Sequence, residues 1–265
     1  MKDVKIVFID MDGTLRDNSG KISDETMKSI SKLNKLGIQI VLTTGRALRY
    51  TVNVAKLYDG GDYLITSNGA EIYNYKSNNL IYSSPINKKE IDYISEKVLI
   101  YRLFFIANTK DFRYTNRLDD NTGMKKVDLL SEVDADINQV VVQSHDVKSM
   151  RLFERDILDN ENLKISNKTT KLVDGKYIFF DVTNSNVSKG NAVKKLCEYL
   201  SIPLDKTMAI GNSVNDIEMF KVCKYKIAVA NADDEIKNIA TELTLSNDEE
   251  GVKAILDKLY NELKS

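Results

Sequence analysis

The sequence predicts an α/β protein: a doubly wound, mostly parallel sheet with an inserted α+β segment. Three observations carry this. Short apolar runs, Val4-Lys5-Ile6-Val7-Phe8-Ile9, Ile38-Gln39-Ile40-Val41-Leu42, Tyr63-Leu64-Ile65-Thr66, Met208-Ala209-Ile210 and Lys226-Ile227-Ala228-Val229, have the pattern of strands buried on both faces. Helical patterns alternate with these runs, as in a parallel sheet with crossovers. From about Pro85 to Thr183 the pattern changes to longer alternating segments, the mark of an antiparallel sheet covered on one face. The expected organisation is a core made of residues 1–84 and 184–265, with 85–183 inserted as a second domain.

The elements follow in order. After the first strand, Ser23 has the chemistry of an N-cap and Asp24 and Glu25 suit the positive first turn. Met27, Ile30, Leu33 and Leu36 recur on one side, and Gly37 stops the helix. A second helix is predicted from about Ala47 to Leu57, and Ser67-Asn68-Gly69 is a turn after the third strand. In the insert, helices are expected near Lys88 to Leu99 and Val147 to Leu158, with strands at Arg102 to Ala107, Gln139 to Val142 and Tyr177 to Val182. Val193, Leu196, Cys197 and Leu200 mark a helix after Ser188, and Ile217, Met219 and Phe220 mark another. Val252, Ile255, Leu256, Leu259, Tyr260 and Leu263 form a terminal stripe expected to pack inside the core domain rather than on a partner.

Composition narrows the function. With 38 Lys and Arg against 39 Asp and Glu, the net charge of -1 offers no basic field for a nucleic acid. No apolar run approaches the length of a membrane span, and the chain enters a strand too soon after Met1 for a signal peptide, so a cytoplasmic protein is expected. Cys197 and Cys223 sit in apolar helical patterns without metal-binding spacing and are expected to be small buried hydrophobes. The single histidine, His145, falls in a polar turn. Acid and base chemistry must therefore rest on carboxylates.

Four loops carry that chemistry, each at the carboxyl end of a predicted strand, where open α/β sheets bind ligands. Asp10-Met11-Asp12-Gly13-Thr14 places two carboxylates together, and these repel unless a cation lies between them. Asp-Gly is also ordinary turn chemistry. Thr43-Thr44-Gly45-Arg46 opens a helix, so the Thr44 hydroxyl and nearby free amides can face an anion while Gly45 admits close approach; helix capping uses the same residues. Lys189 begins the helix after Ser188, where a cation opposes the helix dipole unless a negative ligand joins it, or unless it is simply a solvated lysine. Gly211-Asn212-Ser213-Val214-Asn215-Asp216 offers the Asp216 carboxylate and the Asn212 carbonyl to a hard cation, or a turn with an Asp cap.

In order, Asp10-Met11-Asp12-Gly13-Thr14, Thr44-Gly45-Arg46, Lys189 and Gly211-Asn212-Ser213-Val214-Asn215-Asp216 resemble the four motifs of the haloacid dehalogenase-like hydrolase superfamily, with its Rossmann-like core. The insert's position, Thr66-Ser67-Asn68-Gly69-Ala70 and Ser246-Asn247-Asp248-Glu249-Glu250-Gly251-Val252 resemble the Cof-type phosphatases with a large α/β cap. The resemblance implies that Asp10 attacks phosphorus, for which an ordinary carboxylate pKa of about 4 is suitable. It implies that Asp12 acts as acid and then base, with a pKa raised by burial and its neighbouring carboxylate. Magnesium would be held by Asp10, the Asp12 main-chain carbonyl, Asn212 and Asp216. The substrate would meet Thr44, Gly45, Arg46, Asn68, Asn215 and Lys189. Asn212 departs from the commoner aspartate, which implies weaker magnesium binding and less repulsion of phosphate.

The expected function is a magnesium-dependent phosphatase for small phosphorylated metabolites, sugar phosphates or related cofactors, with the cap closing over the substrate. It is expected to be a monomer or weak homodimer. A phosphosugar mutase would instead exchange phosphate and need a bisphosphate activator. A phosphometabolite-binding regulator would bind ligand without releasing phosphate.

Overall fold

A computed structural model describes residues 1–57, 61–117, 123–169 and 177–265, and the chain forms two compact units, Met1–Ile81 with Ser188–Ser265, and Tyr82–Val187. In chain order the first part of the larger unit holds β1 (Ile6–Ile9), α1 (Asp24–Lys35), β2 (Gln39–Thr43), α2 (Leu48–Ala55), β3 (Tyr63–Thr66), β4 (Glu71–Asn74) and β5 (Asn79–Ser83), which runs to the boundary. The smaller unit holds α3 (Lys88–Ile100), β6 (Phe104–Thr109), β7 (Arg113–Thr115), β8 (Lys125–Lys126), β9 (Ile137–Ser144), α4 (Val147–Leu158), β10 (Leu163–Lys168) and β11 (Ile178–Asn184). The chain then returns through α5 (Lys189–Tyr199), β12 (Thr207–Gly211), α6 (Ile217–Val222), β13 (Tyr225–Ala228), α7 (Asp234–Ile239), β14 (Glu242–Leu243) and α8 (Gly251–Lys264).

The larger sheet runs β14-β13-β12-β1-β2-β3-β4-β5. It is parallel from β14 through β3 and turns antiparallel at β3 and β4. β1 lies between β12 and β2 with Ile6 to Ile9 fully buried, as its unbroken apolar run requires. The strand order therefore sets the ends of β1, β2 and β12 side by side, and with them the loops that follow. Ser23 caps α1 by accepting from the Thr26 amide, and Gly37, at φ +80, lets the chain leave it. The buried stripe of α1 is Thr26, Ser29, Ile30 and Leu33; Leu36, expected on it, is exposed, because the chain has begun to turn. Of the terminal stripe, Val252, Ile255, Leu256 and Leu259 are buried, and Ser29 donates to Asp257 at 2.7 Å where α8 meets α1.

The smaller unit is a sheet in the order β10-β11-β9-β6-β7-β8, antiparallel except between β7 and β8. Phe105, Ala107, Val140, Val142, Phe180 and Val182 alternate onto one core with Ile94 of α3 and Phe153 of α4. β6 begins two residues later than its expected strand, since Arg102 takes φ +52 to leave α3, and β11 begins one residue later. The short strands β4, β5, β7, β8, β10 and β14 lay outside the sequence expectation. No helix among the described residues is long and apolar enough to cross a membrane.

Candidate active site

Asp10 follows β1 directly, and its backbone amide still donates to Ile210 of β12 at 3.0 Å, so the carboxylate is held at the buried end of the strand. Lys189 opens α5 and is 1 % exposed. Its Nζ lies 2.6 Å from Asp10 Oδ1 and 2.6 Å from Asp216 Oδ1, an ammonium enclosed between two carboxylates. The solvated-lysine alternative is excluded. Gly69 helps to place it: a Cβ there, besides needing φ +103, would come within 2.3 Å of the Ser188 carbonyl, so the turn after β3 lies directly against the start of α5.

Burial is the largest influence on the Asp10 carboxyl and pushes it up to about 7, with Lys189 pulling it down and Asp216 and Asp12 adding to the rise. Burial also works against the charge on Lys189, yet Asp10 and Asp216 outweigh it and hold the ammonium above its ordinary range. These shifts pull the contact toward opposite states, a neutral acid and a firmly charged base. An ammonium 2.6 Å from each of two carboxylates favours the ions, and the rise at Lys189 governs the contact. The ordinary pKa expected of Asp10 is thus corrected: its ionisation depends on Lys189.

Asp12 departs further from expectation. The chain turns at Gly13, φ +77, and Asp12 points outward with its side chain 44 % exposed. It lacks the burial expected of it. Arg46 grips it with two hydrogen bonds, Nε to Oδ2 at 2.5 Å and Nη2 to Oδ1 at 2.8 Å, and Arg16 adds a third at 3.2 Å. Arg46 also lies 4.3 Å over the Tyr50 ring. Arg46, expected to bind substrate, is paired with Asp12 here.

The second loop differs in its start. α2 begins at Leu48 with Ala47 as a cap that makes no side-chain hydrogen bond, so Thr44 does not cap it. The Thr44 amide donates to Ile65 at 2.9 Å and the Arg46 amide donates to Thr44 Oγ1 at 3.2 Å. Neither amide is free for an anion, and the buried hydroxyl is what Thr44 can offer. Asn68, at φ +58, accepts from Asn215 Nδ2 at 3.1 Å, and its amide stands where a Gly45 Cβ would come within 2.8 Å. Thr44, Gly45, Asn68 and Asn215 therefore form one polar cluster.

Asp216 is fully buried and spends both oxygens: Oδ1 on Lys189, Oδ2 on the amides of Asn212 at 2.9 Å and Ser213 at 3.1 Å. It fixes the loop after β12 rather than standing free as a ligand. Asn212 turns its side-chain amide toward β1 instead, one end 3.0 Å from Thr14 Oγ1.

A family model for haloacid dehalogenase-like hydrolases matches residues 7–256. The chain belongs to that family. It is 29% identical over 255 residues to the 5-amino-6-(5-phospho-D-ribitylamino)uracil phosphatase YcsE of Bacillus subtilis, covering 96% of this chain and 95% of that protein. A phosphoglycolate phosphatase of Archaeoglobus fulgidus is 28% identical over 256 residues, covering 96% of each. In fold, a haloacid dehalogenase-like hydrolase from B. subtilis superposes with a TM-score of 0.85 at 24% identity, over 97% of this chain and 100% of that one.

In this haloacid dehalogenase-like hydrolase, sequence reasoning missed Arg16 and Tyr50, which buttress Asp12 and Arg46, and Asn231, which donates to the Gly13 carbonyl at 2.8 Å. Arg16 lies four residues beyond Asp12, a visible signal; Asn231 has none. Among the described residues no group of three or more Asp, Glu, His or Cys side chains is arranged for a metal ion. The donor set is of another kind. The end of the Asn212 amide that faces β1 lies 3.2 Å from Asp10 Oδ2 and 3.3 Å from the Asp12 carbonyl oxygen. Neighbouring oxygens around magnesium, bonded at about 2.0–2.1 Å in an octahedron, stand about 3 Å apart. With its oxygen at that end, the Asn212 amide stands at such a spacing from a carboxylate and from a main-chain carbonyl, a donor set that fits a hard cation.

Proposed function

We propose that the protein is a magnesium-dependent phosphatase that hydrolyses small phosphorylated metabolites, sugar phosphates or related cofactors, through an aspartyl phosphate on Asp10. The observation that carries the reading is the buried Asp10 carboxylate with Lys189 against one oxygen and the Asn212 side-chain amide, itself 3.3 Å from the Asp12 carbonyl, against the other. That arrangement leaves a charged nucleophile without acid–base machinery beside it, apart from Asp12. The named phosphatases among its relatives support a phosphoric monoester as substrate.

Asp10 forms an oxygen–phosphorus bond as the ester oxygen departs, and that oxygen takes a proton from the Asp12 carboxyl. Water then attacks phosphorus and gives a proton to Asp12, the bond to Asp10 breaks, and inorganic phosphate leaves. Exposure suits Asp12 to this exchange, and the Arg46 grip aims its carboxyl. Lys189 offsets the charge that a phosphate dianion brings to Asp10, while the Thr44 hydroxyl and Asn215 amide hold phosphoryl oxygens. Asp10, the Asp12 carbonyl and Asn212 would hold magnesium, with Asp216 supporting their loop; the bound ion would neutralise phosphoryl charge. The inserted unit, Tyr82–Val187, is proposed as the cap that selects the organic part of the substrate.

The test is phosphate release from sugar phosphates, nucleotides and cofactor phosphates, with magnesium or a chelator, beside Asp10→Asn. Release that requires both the metal and Asp10 is expected. Release by Asp10→Asn at the wild-type rate, or none from any ester by the folded wild type, overturns the reading.

A further inference from the structure

The Asn212 side chain faces a contradiction that an aspartate would not resolve. Its terminal atom nearest β1 meets three potential acceptors: Thr14 Oγ1 at 3.0 Å, Asp10 Oδ2 at 3.2 Å and the Asp12 carbonyl at 3.3 Å. If that atom is the amide oxygen, only the Thr14 hydroxyl can donate to it, and the other two oxygens repel it unless a cation lies among the three. If it is the amide nitrogen, its two protons have three acceptors to choose from and the arrangement is satisfied without any cation. The two ends of the amide have nearly the same shape, so half a turn about the last side-chain bond exchanges them in place. The main chain of the residue is held: its backbone amide donates to Asp216 at 2.9 Å and its carbonyl accepts from the Asp233 amide at 2.8 Å, while the far end of the side-chain amide stands 2.5 Å from where a Gly13 Cβ would lie.

We propose that Asn212 is a reversible metal ligand whose amide turns over on magnesium binding: nitrogen inward when the cation is absent, oxygen inward when it is present. The inference rests on the metal site in the functional reading above. In the cation-free chain the inward nitrogen stands in for the ion, tying the nucleophile's outer oxygen to the Asp12 main chain. The site then keeps its geometry between metal-binding events. Binding magnesium requires those hydrogen bonds to be given up, and the ligand gained is neutral. An aspartate at this position has oxygens at both ends. It holds a cation more tightly and, without one, sets a second charge against Asp10. Asn212 thus exchanges metal affinity for a site that stays assembled when empty.

The experiment compares wild type with Asn212→Asp by thermal melting and calorimetric magnesium titration, and follows the Asn212 side-chain amide resonances of the wild-type chain during the same titration. The reasoning expects Asn212→Asp in chelator to melt about 2–4 °C below wild type. Saturating magnesium should remove that deficit, and the variant should bind the ion about tenfold tighter or more. The wild-type Asn212 amide protons, bonded to Asp10 and Asp12 in chelator, should shift on saturation while neighbouring side-chain amides stay. Amide resonances unmoved by saturating magnesium overturn the reversal, and this readout needs no variant to fold. A variant that melts at or above wild type in chelator overturns the stand-in role. Failure of magnesium to bind either protein refutes the metal reading itself, and the inference with it.

Discussion

Replacing Lys189 by Met tests the enclosed ammonium directly. The substitution keeps an unbranched stem of similar length and removes the charge that lies 2.6 Å from both Asp10 and Asp216, each buried. Leaving a buried charge without its partner costs about 3–5 kcal/mol. The folded variant has one relief, which is to bind a proton on one of the two carboxyls. Keeping a carboxyl protonated at pH 7, when its unfolded pKa is about 3.9, costs about 1.4 kcal/mol for each of about 3 pH units, or about 4 kcal/mol. Both routes arrive near the same figure, so the variant should be less stable than wild type by about 4 kcal/mol at pH 7.

The proton route also fixes the pH dependence. Above about pH 4 the unfolded variant has released a proton that the folded variant retains, so unfolding releases a proton and stability falls as pH rises. The deficit against wild type should shrink by about 1.4 kcal/mol for each unit between pH 7 and pH 5 and nearly vanish near pH 4. Urea unfolding of both proteins in chelator from pH 5 to pH 8 measures it, the chelator keeping a metal from replacing the lost charge. A variant too unstable to fold at pH 7 should still fold at pH 5. A deficit below about 1 kcal/mol at pH 7, or one that does not change with pH, would refute two ionised carboxylates sharing Lys189.

Asp12→Asn should lower turnover by about 10²–10⁴-fold while leaving the magnesium dissociation constant unchanged, because the proposed ligand is the main-chain carbonyl; a matching loss of metal affinity in calorimetry would sink that division of labour. At the amino terminus, hydrogen bonds from Lys224 Nζ at 2.6 Å and then Tyr225 Oη at 2.7 Å hold the Asp3 carboxyl down at about 2. A depressed carboxylate adds stability above its unfolded pKa of about 4 and loses it as pH falls toward 2, so Asp3→Asn should flatten that part of the acid limb in a circular-dichroism titration. The effect should be small and weakened by salt, since the pair is 40–42 % exposed. An unchanged acid limb would show that the pair contributes nothing.

The central strands were legible because burial on both faces leaves an unbroken apolar run, and β1, β2 and β12 have little else in them. The elements that escaped notice are of the opposite kind. β5 and β10 close the edges of their sheets, with Asn79 and Lys168 exposed, so their Asn, Lys and Ser content is that of a solvated edge rather than of a recognisable strand. The site divides along the same line. That Asp10, Lys189 and Asp216 lie together agrees with their places at strand ends and a helix start, which topology brings together. Which of them would be buried did not follow. Lys189 has the sequence context of a solvated helix start, and its partners lie 179 and 27 residues away. Asp10 and Asp12 are two residues apart in one motif, yet the turn at Gly13 leaves the first 5 % exposed and the second outside, held by arginines. Their difference in chemical role therefore comes from the direction of the chain over three residues, so a Cβ at Gly13, strained at φ +77 and pressed against Asn212, would disturb the nucleophile, the acid and the amide ligand together.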